Sequence, residues 1–127
     1  MKKKILIVAS NFYPNITKSL INYATKNLKN VKYNIVYVPG IFEIPVVISK
    51  NIKKYNGFIA IGCVIKGKTN HFELISNSTT AAIMNLTIQY KKPIGNGIIS
   101  CFNKSQAVNR VDKGKDAAIA VTKILQM

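Results

Sequence analysis

GFIAIGCVIKGKTNHFELI, residues 57–75, admits two readings, and the choice between them decides the fold. Residues 62–69 spell G-x-x-x-x-G-K-T, the pattern of a phosphate-binding P-loop. A working P-loop wraps its backbone amides around phosphates, which favours small residues in its interior. Here the interior is Cys63, Val64, Ile65 and Lys66, and it continues the apolar run begun at Phe58. The motif also needs an aspartate closing another strand to hold magnesium. The acidic residues are Glu43, Glu73, Asp112 and Asp116, and none closes an apolar run. The stretch therefore reads as a buried strand (57–65), a short turn, and a helix from about Asn70 to Gln89. Its apolar stripe is Phe72, Ile75, Thr79, Ala82, Ile83 and Leu86. Asn70 is placed to cap the helix, with Glu73 as the capping-box partner.

The same alternation runs outward in both directions. KILIVAS (4–10) is a continuous apolar run, as in a strand buried on both faces. Residues 16–30 place Ile16, Leu20, Ile21, Ala24 and Leu28 at helical spacing. YNIVYVP (33–39) is a second strand, stopped at Pro39-Gly40. From Ile44, the positions Val47, Ile48, Ile52 and Tyr55 suit a helix with Pro45 in its first turn. PIGNGIIS (93–100) is the fourth strand, and a helical tail follows from about Lys104, broken or kinked at Gly114. Eight alternating elements predict an α/β fold, a three-layer α/β/α sandwich with a four-stranded parallel sheet flanked by helices. The 127 residues form one domain, 1–127. Four strands make a thin sheet whose edges invite cover by a second subunit.

Composition narrows the partners. Apolar residues make up 48%, a globular value. No apolar run approaches the roughly 20 residues of a membrane span, so no membrane partner is expected. MKKKILIVAS lacks a small-residue cleavage site and reads as a first strand, not a signal peptide. Cys63 and Cys101 make no metal-binding spacing and read as half-buried thiols in a reducing cytoplasm. The net charge is +15, yet 18 of the 19 basic residues are lysine, with no run longer than Lys2-Lys3-Lys4. Lysine, asparagine and isoleucine share AT-rich codons, so base drift gives this profile without a polyanion. Nucleic-acid binders cluster their basic groups and interleave aromatics or arginines, so no nucleic acid is expected. Attraction of small phosphorylated substrates is a third source of the charge.

In open parallel sheets, ligands bind beyond the carboxyl ends of the strands, and the unusual residues fall there. Gly67, Lys68 and Thr69 form a turn into a helix start, a plausible anion site in any fold. His71, the single histidine, lies in the first turn of that helix. Imidazole can accept a proton and return it near neutral pH; a structural histidine is the alternative. Arg110 is the single guanidinium in a lysine-rich chain, suited to bidentate capture of phosphate or carboxylate, or simply a surface charge. Glu43 follows Pro39-Gly40 at a helix start and has capping as its alternative. Phe12 follows a buried strand in a polar loop, for core packing or for stacking on a planar ligand.

Together these motifs resemble 6,7-dimethyl-8-ribityllumazine synthases of riboflavin biosynthesis. The resemblance runs through NFYPNIT (11–17), VPGIFEIP (38–45), GCVIKGKTNHFELI (62–75), PIGNGIIS (93–100), SQAVNR (105–110) and KGKDAA (113–118), in family order. It implies a flavodoxin-like fold and a cytoplasmic transferase without metal or organic cofactor. That enzyme condenses 5-amino-6-(D-ribitylamino)uracil with 3,4-dihydroxy-2-butanone 4-phosphate. It also implies roles residue by residue. Phe12 would stack on the pyrimidine; Gly40, Ile41, Phe42 and Glu43 would line the ribityl and pyrimidine pocket. Val64 and Ile65 would offer backbone groups to the pyrimidine edge. Lys68 and Thr69 would bind the butanone phosphate in their turn, and His71 would transfer protons. Asn96 would sit where a neighbour closes over the ring, Arg110 would bind phosphate, and Lys113 would lie near the pyrimidine.

Family sites form between subunits of a pentamer, twelve of which build a shell in some members. The resemblance therefore implies a homo-oligomer, at least a homopentamer. Many members carry an N-terminal arm before the first strand, and the sequence here opens almost on that strand. This counts against the shell and not against the pentamer. The segment between Arg110 and Lys113 is shorter than usual, and Tyr13 stands where the family usually has asparagine. Two other functions share the resemblance. One is an archaeal-type riboflavin synthase on the same fold, which dismutates two lumazines; the other is a non-catalytic flavin- or lumazine-binding protein. The complete V-I-x-G-x-T-x-H-F-E stretch favours the synthase over the first.

Overall fold

A computed structural model describes residues 2–67 and 71–127. Four strands alternate with helices: β1 (Lys3–Ser10), α1 (Pro14–Lys26), β2 (Val31–Val38), α2 (Ile44–Lys50), β3 (Gly57–Ile65), α3 (His71–Tyr90), β4 (Ile94–Cys101), α4 (Lys104–Val108) and α5 (Lys113–Leu125). A single 3-10 turn, Ile41–Glu43, leads into α2. All strands are parallel, in the order β2-β1-β3-β4. The fold is the expected three-layer, flavodoxin-like sandwich. No helix among the described residues is long and apolar enough to cross a membrane.

The sequence pattern explains the layers. β1 and β3 are central, and their continuous apolar runs are buried on both faces. Ile5, Ile7, Ala9, Ile59 and Ile61 meet Leu20, Ala24, Ala118 and Val121 of α1 and α5. Leu6, Val8, Phe58 and Ala60 meet Ile44 and Ile48 of α2 and Ile83 of α3. The two outer strands are half-clothed. On β2, Tyr33, Ile35 and Tyr37 are exposed. α3 buries only Thr79 and Ile83 of its expected stripe and leaves Leu74, Met84 and Ile88 in solvent.

Several boundaries differ from the sequence reading, each for a local reason. α1 stops at Lys26, because Asn27 caps it and Asn30 takes a left-handed φ of 61°. α2 is one short helix; the chain turns after Lys50, and Tyr55 instead accepts a hydrogen bond from Asn34 at 2.8 Å. Both thiols are fully buried, not half-buried. The tail breaks at residues 109–112, and Gly114 lies inside α5. A Cβ on Gly114 would stand 2.1 Å from the Leu20 carbonyl oxygen, so the glycine lets α5 cross α1 backbone to backbone. The expected cap Asn70 lies outside the described residues.

Candidate active site

The crossovers bring their turns to one end of the sheet, and short-range bonds fix each turn. After β1, the Asn11 amide donates to the Val38 carbonyl at 2.9 Å, and Thr17 Oγ1 donates to the Ser10 carbonyl at 2.6 Å. Pro14 then starts α1 where no amide partner is required. These constraints present Phe12 at 68% exposure, which removes core packing as its role in this chain. Its ring meets Tyr13 edge-on, with centroids 5.0 Å apart at 71°. Tyr13 in turn packs on the core between β1 and α1.

After β2, the Glu43 carboxylate folds back and accepts from the Gly40 amide at 2.9 Å. This is half of a capping box, and it fixes the 3-10 turn. Ile41 drops onto β3 opposite Gly62, where a Cβ would lie 2.6 Å from Ile41 Cγ2. At the end of β3, the Lys66 amide donates to the Cys101 carbonyl at 2.9 Å. The Lys66 ammonium sits 5.4 Å from the Phe102 ring centroid.

Between these turns and the start of α3 lies a cavity of about 300 Å³. Of the residues expected at a site, Phe12, Gly40, Ile41, Val64, Ile65 and His71 line it. Gly67, from the expected anion turn, lines it too, and Ser10, Tyr13, Cys63, Phe72 and Ile75, which were not anticipated, complete the wall. The wall is mostly apolar, and one aromatic face stands exposed at its rim. Such a slot accepts a flat heterocycle and excludes water from one side of it. Ser10 is 1% exposed, and its hydroxyl finds no hydrogen-bond partner among the described residues. Burial pushes the Cys63 thiol up to about 12, reinforced by the neighbouring Cys101, so it stays protonated and is no nucleophile at neutral pH.

Other expected residues stand apart from this cavity in the single chain. Phe42 is 62% exposed beside it, and Glu43 is engaged with Gly40. Asn96 lies within β4, and its side chain accepts from the Ile98 amide at 3.0 Å. Arg110 follows α4, and its Nη1 donates to the Ser100 carbonyl at 3.1 Å, which holds the guanidinium against the carboxyl end of β4. Lys113 opens α5. Lys68 and Thr69 lie outside the described residues. Among the described residues, no three His, Cys, Asp or Glu side chains converge as metal ligands.

Ser10 and Tyr13 were legible in principle, since both flank the carboxyl end of a strand, where sites form in this architecture. Phe72 and Ile75 read only as core stripe, because helical spacing does not reveal that a stripe runs past the sheet edge.

A family model described as 6,7-dimethyl-8-ribityllumazine synthase matches residues 2–127. Proteins of that name are similar over most of the chain. The one from Bartonella tribocorum is 40% identical over 91% of this chain and 83% of its own. The one from Bartonella henselae is 44% identical over 84% and 72%. The one from Agrobacterium fabrum is 36% identical over 99% and 95%.

Proposed function

The chain belongs to the 6,7-dimethyl-8-ribityllumazine synthase family, and from that premise we propose that the cavity beyond β1, β2 and β3 is its active site. The protein is a transferase of riboflavin biosynthesis. It condenses 5-amino-6-(D-ribitylamino)uracil with 3,4-dihydroxy-2-butanone 4-phosphate, releasing phosphate and water. The observation that carries the site is convergence. Phe12, Gly40, Ile41, Val64, Ile65 and His71 come from four separate turns and strand ends, yet wall one slot.

In this reading Phe12 stacks on the pyrimidine, while Val64 and Ile65 present backbone groups to its edge. The turn at Gly40–Glu43 takes the ribityl chain and the adjoining ring edge. Lys68, Thr69 and Arg110 hold the phosphate of the second substrate. The amine attacks the carbonyl and water leaves to give an imine; phosphate is eliminated; the ring closes with loss of a second water. His71 accepts and returns the protons of these steps. Holding two substrates in contact supplies much of the rate, since both reacting groups are already nucleophile and electrophile.

Asn96, Arg110 and Lys113 lie outside the single-chain cavity, and a homopentamer supplies them across subunit boundaries. The exposed apolar side chains of Val46, Leu74, Met84 and Ile88 favour such an assembly. Two buried thiols fit a reducing compartment, and the proposed location is the cytoplasm. Mixing the purified protein with both substrates should give lumazine absorbance faster than the uncatalysed mixture. An equal rate would sink the assignment. Lumazine offered alone should not be consumed. Light scattering on the native protein should return five times the monomer mass.

A further inference from the structure

Ser10 closes β1 on the face shared with Leu6 and Val8, and so points its side chain toward Ile41 and α3. Its carbonyl is engaged by Thr17, but its hydroxyl is buried and unpartnered among the described residues. A buried hydroxyl without a partner costs stability, and native proteins keep few of them without a reason. The reason here adjoins the hydroxyl: Ser10 forms part of the wall of the cavity. The rest of that wall is dominated by apolar side chains, so a polar ligand group entering beside Ser10 has few other places to bond.

Resting on the active-site reading above, we propose that Ser10 Oγ is a specificity-determining contact that hydrogen-bonds a hydroxyl of the ribityl chain. The substrate has two polar parts, a flat ring and a flexible polyol. The ring is committed to the rim by the exposed face of Phe12. Only the thin chain can descend to a group 1% exposed on the cavity wall, next to the Gly40–Ile41 turn. A polyol hydroxyl both donates and accepts, as serine does, so either orientation completes the bond.

The test is Ser10→Ala in the intact protein, with kinetics and melting measured together. KM for the ribityl-bearing pyrimidinedione should rise about five- to tenfold, the usual worth of one neutral hydrogen bond. KM for the butanone phosphate should not change, and Tm should hold or increase because an orphaned hydroxyl is gone. An analogue carrying a plain alkyl chain should bind wild type and variant alike. Thr79→Val is the control: Thr79 also has a buried hydroxyl unpartnered among the described residues but is absent from the cavity wall. It should leave both KM values alone. A pyrimidinedione KM unmoved in Ser10→Ala, or a lowered Tm with both KM values shifted together, overturns the proposal. Phe12→Ala separates the two levels of the argument. If it raises the pyrimidinedione KM while Ser10→Ala does not, only the Ser10 inference fails; if neither moves it, the site reading fails as well.

Discussion

Three side chains carry predictions that are theirs alone. His71→Ala should lower kcat by about a hundredfold, the scale of general acid–base catalysis. Turnover should remain above the uncatalysed reaction, because orientation survives the substitution. An unchanged kcat would remove His71 from the mechanism. Arg110→Ala deletes charge-assisted bonds, so KM for the butanone phosphate should rise about 10- to 100-fold with little change for the pyrimidinedione. Equal KM values in variant and wild type would argue against phosphate capture. Cys63 predicts a pH effect. Its thiol is pushed up to about 12, so the folded state resists ionisation that the unfolded chain allows. The stabilisation is complete below the unfolded value and is lost as pH rises between about 9 and 12. Urea titrations across that window should show wild type losing more stability than Cys63→Ala; parallel curves would contradict the burial. Phe12 and His71 were readable as sequence because each is an odd residue beside a strand end. Ser10 was not singled out, since a serine ending an apolar run looks like an ordinary strand terminus until its hydroxyl is seen to lack a partner.

At the scale of elements, the legible parts were those governed by local pattern. The limits of β3 match the sequence reading at both ends, because a run of buried residues meets a turn on each side. The tail was misread for the opposite reason. A glycine in a helical stretch signals a break locally, but Gly114 is there for Leu20, more than ninety residues earlier in the chain. That contact has a measurable price. Gly114→Ala should destabilise the fold by about 1–3 kcal/mol through overpacking, a fall in Tm of roughly 5–15 °C. A melt unchanged from wild type would mean the helices can part freely. α3, by contrast, follows its local pattern. Every residue of its expected stripe is buried or half-buried, and the exposed apolar side chains Leu74, Met84 and Ile88 lie off that stripe.

For the whole molecule, folding gathers part of the charge that the sequence scatters. The four carboxylates, Glu43, Glu73, Asp112 and Asp116, lie in turns and helix starts that also hold Lys66, Lys104, Arg110, Lys113 and Lys115. Lys2, Lys3, Lys4, Lys29, Lys32, Lys53, Lys54 and Lys91 gather at the opposite end, where strands begin and helices finish. Helix C-termini accept cations cheaply, yet a net charge of +15 still repels itself. Tm should therefore climb as salt rises from about 10 to 150 mM, the range over which screening becomes effective. A flat profile would show that the lysines are too well separated to matter. The crossing at Gly114 bears on inheritance as well. Every glycine codon begins with two guanines, so base drift that enriches lysine, asparagine and isoleucine presses against glycine everywhere. At Gly114 a Cβ would meet a backbone carbonyl. The interhelical crossing is a point where any such drift has to stop, because nothing larger than hydrogen fits there.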